Sequence, residues 1–184
     1  MNRRWGTMAL MVIAFLMGLM PKAVLCDEAL TDQQKTDIVY NMYDNYRKEF
    51  PQVREISPQA AMKEMAQGKI LFVDTRKPAE MAVSMLPGAI TEEQFLKNPE
   101  KFKDKRIVVY CTISYRSGKF AREMANSGIE IFNLRGGLLA WTLEGGKVYD
   151  PNGETRRINV YGEEWDYPPE GYESVRLSFF EKYF

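Results

Sequence analysis

The chain has no histidine, and that single absence removes Cys–His dyads, Ser–His–Asp triads and imidazole metal sites together. Any nucleophile must then be activated by dipoles, backbone amides or Arg/Lys side chains. Cysteine is scarce as well: Cys26 and Cys111 are the only two in 184 residues, too few for a disulfide framework. No charge of one sign dominates, with 25 basic against 25 acidic side chains, so the chain carries no electrostatic footprint for nucleic acid. Internal repeats and low-complexity tracts are missing. The longest apolar run, residues 8–20, has thirteen members, short of the ~17–25 that a membrane span needs.

What that run does suit is the apolar centre of a signal peptide. Arg3 and Arg4 form a basic stretch before it, and Pro21 and the segment Ala23-Val24-Leu25-Cys26 follow. Cleavage after Cys26 places Val24 and Cys26 at the two recognition positions, so the expected exported protein starts at Asp27 and is periplasmic. Three other readings stay open: an uncleaved membrane anchor, a lipid on Cys26 and, from Arg3-Arg4, the twin-arginine route. Leu25 is bulky for a lipoprotein, and the flanks of the twin-arginine signal are absent. Residues 1–26 carry three bases and no acids, which leaves 22 basic and 25 acidic side chains in the remaining 158 residues, a net charge of about −3. That length suits one domain with an ample core.

Strands and helices alternate along the rest. Thr31 or Asp32 caps a helix reaching Phe50, with Val39, Tyr43, Tyr46 and Phe50 on one stripe and Pro51 as its stop. Ser57-Pro58 opens a second helix that Gly68 closes. Ile70-Leu71-Phe72-Val73, ending in Asp74, and residues 106–110 read as strands buried on both faces. Between them lie a short helix over 78–84, the turn Pro87-Gly88 and a capping box, Thr91-Glu92-Glu93-Gln94. A helix from about Ser117 to Asn126, a strand over 129–134, Gly136-Gly137 and a short helix over 138–143 complete an α/β unit with a parallel-stranded central sheet flanked by helices. Asp150-Pro151-Asn152-Gly153 predicts a hairpin joining 147–149 to 156–160. The aromatic-rich end, from Tyr161 and Trp165 to Phe184, is expected to pack back onto the domain; a partner surface is the alternative.

Ligands in parallel α/β sheets bind beyond the carboxyl ends of the strands. Asp74-Thr75-Arg76 and Cys111 both fall at such ends, in different strands. Cys111 follows the apolar Ile107-Val108-Val109-Tyr110 and faces the start of the next helix, where unpaired N–H groups and the helix dipole favour an anion. The expected form is a reactive thiolate. A buried, inert cysteine is the bland alternative, and it fits poorly because Cys111 lies after the strand among Thr112, Ser114, Tyr115 and Arg116.

Three ordered motifs resemble the single-domain rhodaneses, or rhodanese-like sulfurtransferases. Asp74-Thr75-Arg76-Lys77-Pro78-Ala79-Glu80 with Leu86-Pro87-Gly88-Ala89-Ile90 is similar to the family's first signature. Val108-Val109-Tyr110-Cys111 with Arg116-Ser117-Gly118 is similar to its active-site loop, and Asn133-Leu134-Arg135-Gly136-Gly137 with Ala140-Trp141 to its closing signature. The resemblance covers roughly residues 55–150. It frames the chain as a signal peptide (1–26), an N-terminal helical extension (27–54), a rhodanese-like domain (55–150) and a C-terminal extension (151–184).

The resemblance implies that Cys111 takes a sulfur from a donor such as thiosulfate, becomes a persulfide, and yields it to cyanide or a thiol. The amides of Thr112, Ile113, Ser114, Tyr115, Arg116 and Ser117 would cradle the sulfur, with Arg116 adding positive charge. Asp74 and Arg76 would brace the loop, Glu80 would cap or pair locally, and Trp141 would belong to the core. Four residues separate Cys111 from Arg116, where cysteine phosphatases have five, so phosphatase or arsenate-reductase chemistry is the weaker enzyme reading. A sulfur carrier or binding module with little turnover is the reading from another class. No cofactor or metal is implied. The expected partners are a small sulfur-containing anion or thiol and a possible protein sulfur acceptor, with a membrane only if the N-terminal segment is retained. Two departures stand out: Ser114 where the family often has glycine, and Ser84-Met85 in place of Gly-His.

Overall fold

The computed structural model describes residues 29–178. The expected signal peptide and the aromatics at 179, 180, 183 and 184 lie outside these residues. Helix α1 (Asp32–Tyr46) starts at the Thr31 capping box and ends in a single 3-10 turn, Arg47–Glu49, before Pro51. Helix α2 (Pro58–Ala66) begins with proline at its first turn behind the Ser57 cap. There follow β2 (Ile70–Asp74), α3 (Pro78–Met81), α4 (Glu92–Lys97), β4 (Arg106–Tyr110), α5 (Tyr115–Asn126), β5 (Phe132–Leu134) and α6 (Gly137–Leu143). Two short strands complete the sheet, β1 (Arg54–Ile56) and β3 (Ile90–Thr91), neither of which the apolar patterning marks.

The five strands pair in parallel in the order β1-β5-β4-β2-β3. Both faces are covered, which is why β2 and β4 are continuous apolar runs. Phe72, Val108, Tyr110 and Leu134 point to one side and join Ala61, Leu138 and Trp141 in a buried cluster. Val73, Ile107 and Val109 alternate to the other side, against Phe95, Phe120 and Ala121. Helix α1 contributes to both, Val39 to the first and Tyr43 to the second.

Register sets the site. Val73 pairs with Val109 and Asp74 with Tyr110, so β2 and β4 end level with one another. Cys111 is therefore the first residue beyond the sheet at the carboxyl ends of its central strands.

Three sequence expectations are corrected. The fifth strand begins at Phe132 rather than 129, because Ile129 belongs to the turn after α5. Helix α3 stops at Met81, since Ser84 and Met85 are needed elsewhere: Ser84 O accepts from Arg76, and Met85 pairs with Tyr149. The hairpin also closes more tightly than predicted. β6 (Val148–Asp150) pairs with β7 (Gly153–Thr155), whereas β8 (Arg157–Asn159) runs parallel to β9 (Glu173–Val175). The C-terminal segment then packs Trp165, Tyr167 and Tyr172 against the core. Among the described residues no helix is long and apolar enough to cross a membrane.

Candidate active site

The loop after β4 is oriented by its carbonyls. Leu138 N donates to Cys111 O at 2.9 Å and Leu139 N to Thr112 O at 3.1 Å, so the first turn of α6 consumes both oxygens. The N–H and C=O of a trans peptide point to opposite sides, and no peptide here is cis. The Thr112 and Ile113 N–H groups must therefore face away from α6. The Ser114 carbonyl is held in the same manner by Asn133 Nδ2 at 3.0 Å and Gly118 N at 3.2 Å, which turns the Tyr115 N–H outward. Among the described residues, no N–H of residues 112–117 has a protein acceptor. Gly137 makes this docking possible: a Cβ there would overlap the Cys111 and Thr112 oxygens and the Ser114 nitrogen.

Cys111, a free thiol, is only 2% exposed, but it lines a cavity of about 500 Å³. Thr112, Ile113, Tyr115 and Arg116 line the same cavity. Ser114 and Ser117 do not. Ser114 Oγ donates to Leu134 O and Ser117 Oγ to Asn133 Oδ1, so both side chains anchor the loop to β5 while their amides remain unused. Ser114 has φ 65° and ψ 23°, and among the described residues it is the one non-glycine with positive φ. The conformation that glycine adopts freely is thus imposed on serine, at about 1 kcal/mol.

Arg116, expected to add positive charge at the loop, is itself paired with a carboxylate. Its Nη1 and Nη2 each donate to a Glu80 carboxylate oxygen at 2.7 Å, a two-pronged pair linking α5 to α3. Glu80 Oε2 also accepts from Lys77 N at 2.9 Å. Burial opposes the Arg116 charge, yet Glu80 and the neighbouring Cys111 hold its pKa above the ordinary arginine value. Burial likewise pushes the Glu80 carboxyl up, and Arg116 outweighs it, so the group titrates below its usual 4.5.

Asp74 and Arg76 form a wholly buried pair, with Arg76 Nε 2.9 Å from Oδ1 and Nη2 2.7 Å from Oδ2. Neither lines the cavity, and among the described residues neither bonds to residues 111–117. Their support is indirect: Arg76 holds Ser84 O at 2.6 Å and lies 5.7 Å from the Tyr110 ring, and Tyr110 Oη accepts from Leu86 N at 3.1 Å. The expected direct brace on the active loop is absent among the described residues; the pair contacts Ser84 and the Tyr110 ring instead. Trp141 lies in the core, its Nε1 donating to Lys147 O. The sequence motifs do not mark the remaining cavity wall as such: Tyr46 and Glu49 from the end of α1, Lys77 and Glu80, and Tyr161 and Trp165 from the C-terminal segment. Only Glu80, third residue of a helix opening on proline, carries a local signal; the others meet Cys111 through tertiary packing.

Two measurements check this account. Ser114→Gly relieves the backbone cost while losing one hydroxyl hydrogen bond, and Ser114→Ala loses the bond without relief, so denaturant unfolding should find the alanine variant about 1 kcal/mol less stable than the glycine variant. Equal stabilities would refute the strain assignment. Glu80 is depressed in the folded state, so its contribution is complete above pH 4.5 and fades as pH falls through the lower folded value. Glu80→Gln should cost about 1–3 kcal/mol at neutral pH and flatten the decline in stability on the acid side. An unaltered acid slope would contradict it.

Comparison with known proteins places this geometry. The family model for the rhodanese-like domain matches residues 57–144. A sulfurtransferase of Allochromatium vinosum is 33% identical over 106 residues, which cover 55% of this chain and 99% of that protein. A tRNA uridine(34) hydroxylase of Streptococcus gordonii is 32% identical over 121 residues, but the chain spans only 33% of its length. Among solved structures, a thiosulfate sulfurtransferase from Pseudomonas aeruginosa shares the fold, with a TM-score of 0.51 at 19% identity, covering 71% of this chain and 26% of that one. By its near-complete span of the sulfurtransferase and its match to the domain model, the chain belongs to the rhodanese-like family.

Proposed function

We propose that the protein is a sulfurtransferase in which Cys111 carries the sulfur. The observation that supports this most directly is the thiol at the carboxyl end of β4, lining a cavity beside backbone N–H groups that have no acceptor among the described residues. As thiolate, Cys111 attacks the outer sulfur of a donor such as thiosulfate. The donor S–S bond breaks, sulfite leaves with the electron pair, and a cysteine persulfide anion remains. Amides fixed in advance stabilise such a sulfur anion without reorganising. A thiophilic acceptor then removes the outer sulfur and restores the thiolate. Transfer requires no net oxidation and no proton relay, which fits a chain without histidine.

Thiosulfate should leave one added sulfur on Cys111, seen by mass spectrometry of the intact protein, and cyanide should discharge it as thiocyanate. Cys111→Ser should abolish both, a loss of at least about a thousandfold in rate, as for removal of a covalent nucleophile. Thiocyanate formation at the original rate in that variant would end the proposal.

We also propose export, with residues 1–26 removed. Its support is the sequence alone: a basic start, an apolar run and a small-residue segment before Asp27. Protein recovered from the periplasm should begin at Asp27; a chain still starting at Met1, or one with a lipid on Cys26, would overturn the cleavage.

A further inference from the structure

The cavity is larger and less positive than an inorganic donor requires. At roughly 30 Å³ for a water-sized unit, a five-atom anion such as thiosulfate fills about a third of the 500 Å³. The lining cations Lys77 and Arg116 are matched by Glu49 and Glu80. A dianion approaching the Cys111 thiolate thus meets no surplus positive charge from the lining side chains.

The remaining wall is aromatic. Tyr46 lies 5.1 Å from Tyr115 between ring centroids, and Tyr161 lies 5.5 Å from Trp165. Trp165 Nε1 donates to Tyr46 Oη at 3.1 Å, joining the two pairs into one stretch of wall. Thr112 Oγ1, buried on the lining, has no hydrogen-bond partner among the described residues. Tyr46, Tyr161 and Trp165 all fall outside residues 57–144, the span matched by the family model. The domain supplies Cys111 and Tyr115, and the chain's two extensions supply the other three ring-bearing residues of the cavity wall.

The geometry points to an organic sulfur donor, one with an apolar or aromatic body and at most one negative charge, seated against Tyr46, Tyr161 and Trp165 with its outer sulfur at Cys111. This rests on the sulfurtransferase reading and narrows its substrate class. For an organic persulfide, RS–S⁻, the Cys111 thiolate bonds to the outer sulfur and RS⁻ departs with the electron pair of the broken S–S bond. For a thiosulfonate, RSO₂–S⁻, the departing group is the sulfinate, RSO₂⁻. In both, two negative charges enter and two leave, with no external oxidant or reductant.

Methanethiosulfonate and benzenethiosulfonate anions carry the same charge and differ in the ring. With the full chain and cyanide as acceptor, thiocyanate formation should show kcat/KM at least about tenfold higher for the benzene compound, the scale of one well-seated ring. Trp165→Ala should reduce that ratio about tenfold beyond the fall in intrinsic reactivity shared by both donors, and Tyr161→Ala, at a residue 38% exposed, should reduce it in the same direction. A ratio near one in the unaltered protein, or a ratio that neither variant moves, overturns the inference while leaving sulfur transfer intact. If neither anion nor thiosulfate adds sulfur to Cys111, the sulfurtransferase reading falls, and this inference with it.

Discussion

Two hydrogen bonds from the start of α6 decide which way the loop after β4 faces. Leu138 and Leu139 donate to the carbonyls of Cys111 and Thr112, and planar trans peptides then turn the next N–H groups to the opposite side. The arrangement serves both partners, because the first amides of a helix lack intrahelical acceptors and here find them in the loop. It tolerates no side chain at Gly137, whose Cβ would overlap the loop backbone. A cradle made in this way consists of fixed backbone dipoles and needs no titratable base, consistent with the lack of histidine.

The same loop stores a local cost and offsets it nearby. Ser114 occupies the left-handed region, which a β-carbon makes unfavourable. Its hydroxyl bonds to Leu134 O and its carbonyl to Asn133, both on β5. Serine therefore offers what glycine could not, a side-chain tie to the neighbouring strand. On the other flank, the Glu80–Arg116 pair fixes the first turn of α5 to α3. That pairing makes Arg116 a structural clamp as much as a source of positive charge, so an anion in the proposed sulfur-transfer reaction would be held mainly by the backbone.

What could be read in advance follows from how local each signal is. β2 and β4 are legible because a strand covered on both faces is apolar throughout, as in Ile107-Val108-Val109-Tyr110. The starts of α1 and α4 are legible because a capping box is a spacing of three residues. The placement of Cys111 is legible for the same reason: its strand, its loop and its helix are contiguous. The edge strands β1 and β3, of three and two residues, are too short to show a period and exist through pairing with β5 and β2. Asp150-Pro151-Asn152-Gly153 correctly marks a turn but not its register, because the continuation of the strand past Thr155 is decided by pairing with Glu173–Val175.

The cavity wall shows the limit of local reading most clearly. Tyr46 and Trp165 are joined by a hydrogen bond across a sequence separation of 119 residues, and no motif spans such a distance. The family motifs cover Cys111–Ser117 and leave out both extensions, whose aromatic composition marks them as packing material. They do pack: Trp165 and Tyr46 lie against the main core. Yet packing at the carboxyl edge of the sheet is also where ligands meet parallel α/β folds, so a side chain recruited there to cover the core comes to line the approach to Cys111. Chemistry set by the backbone of the loop and selectivity set by residues outside the family's span can then change independently, since a substitution at Tyr161 or Trp165 alters the wall without disturbing the hydrogen bonds from α6 that orient the cradle.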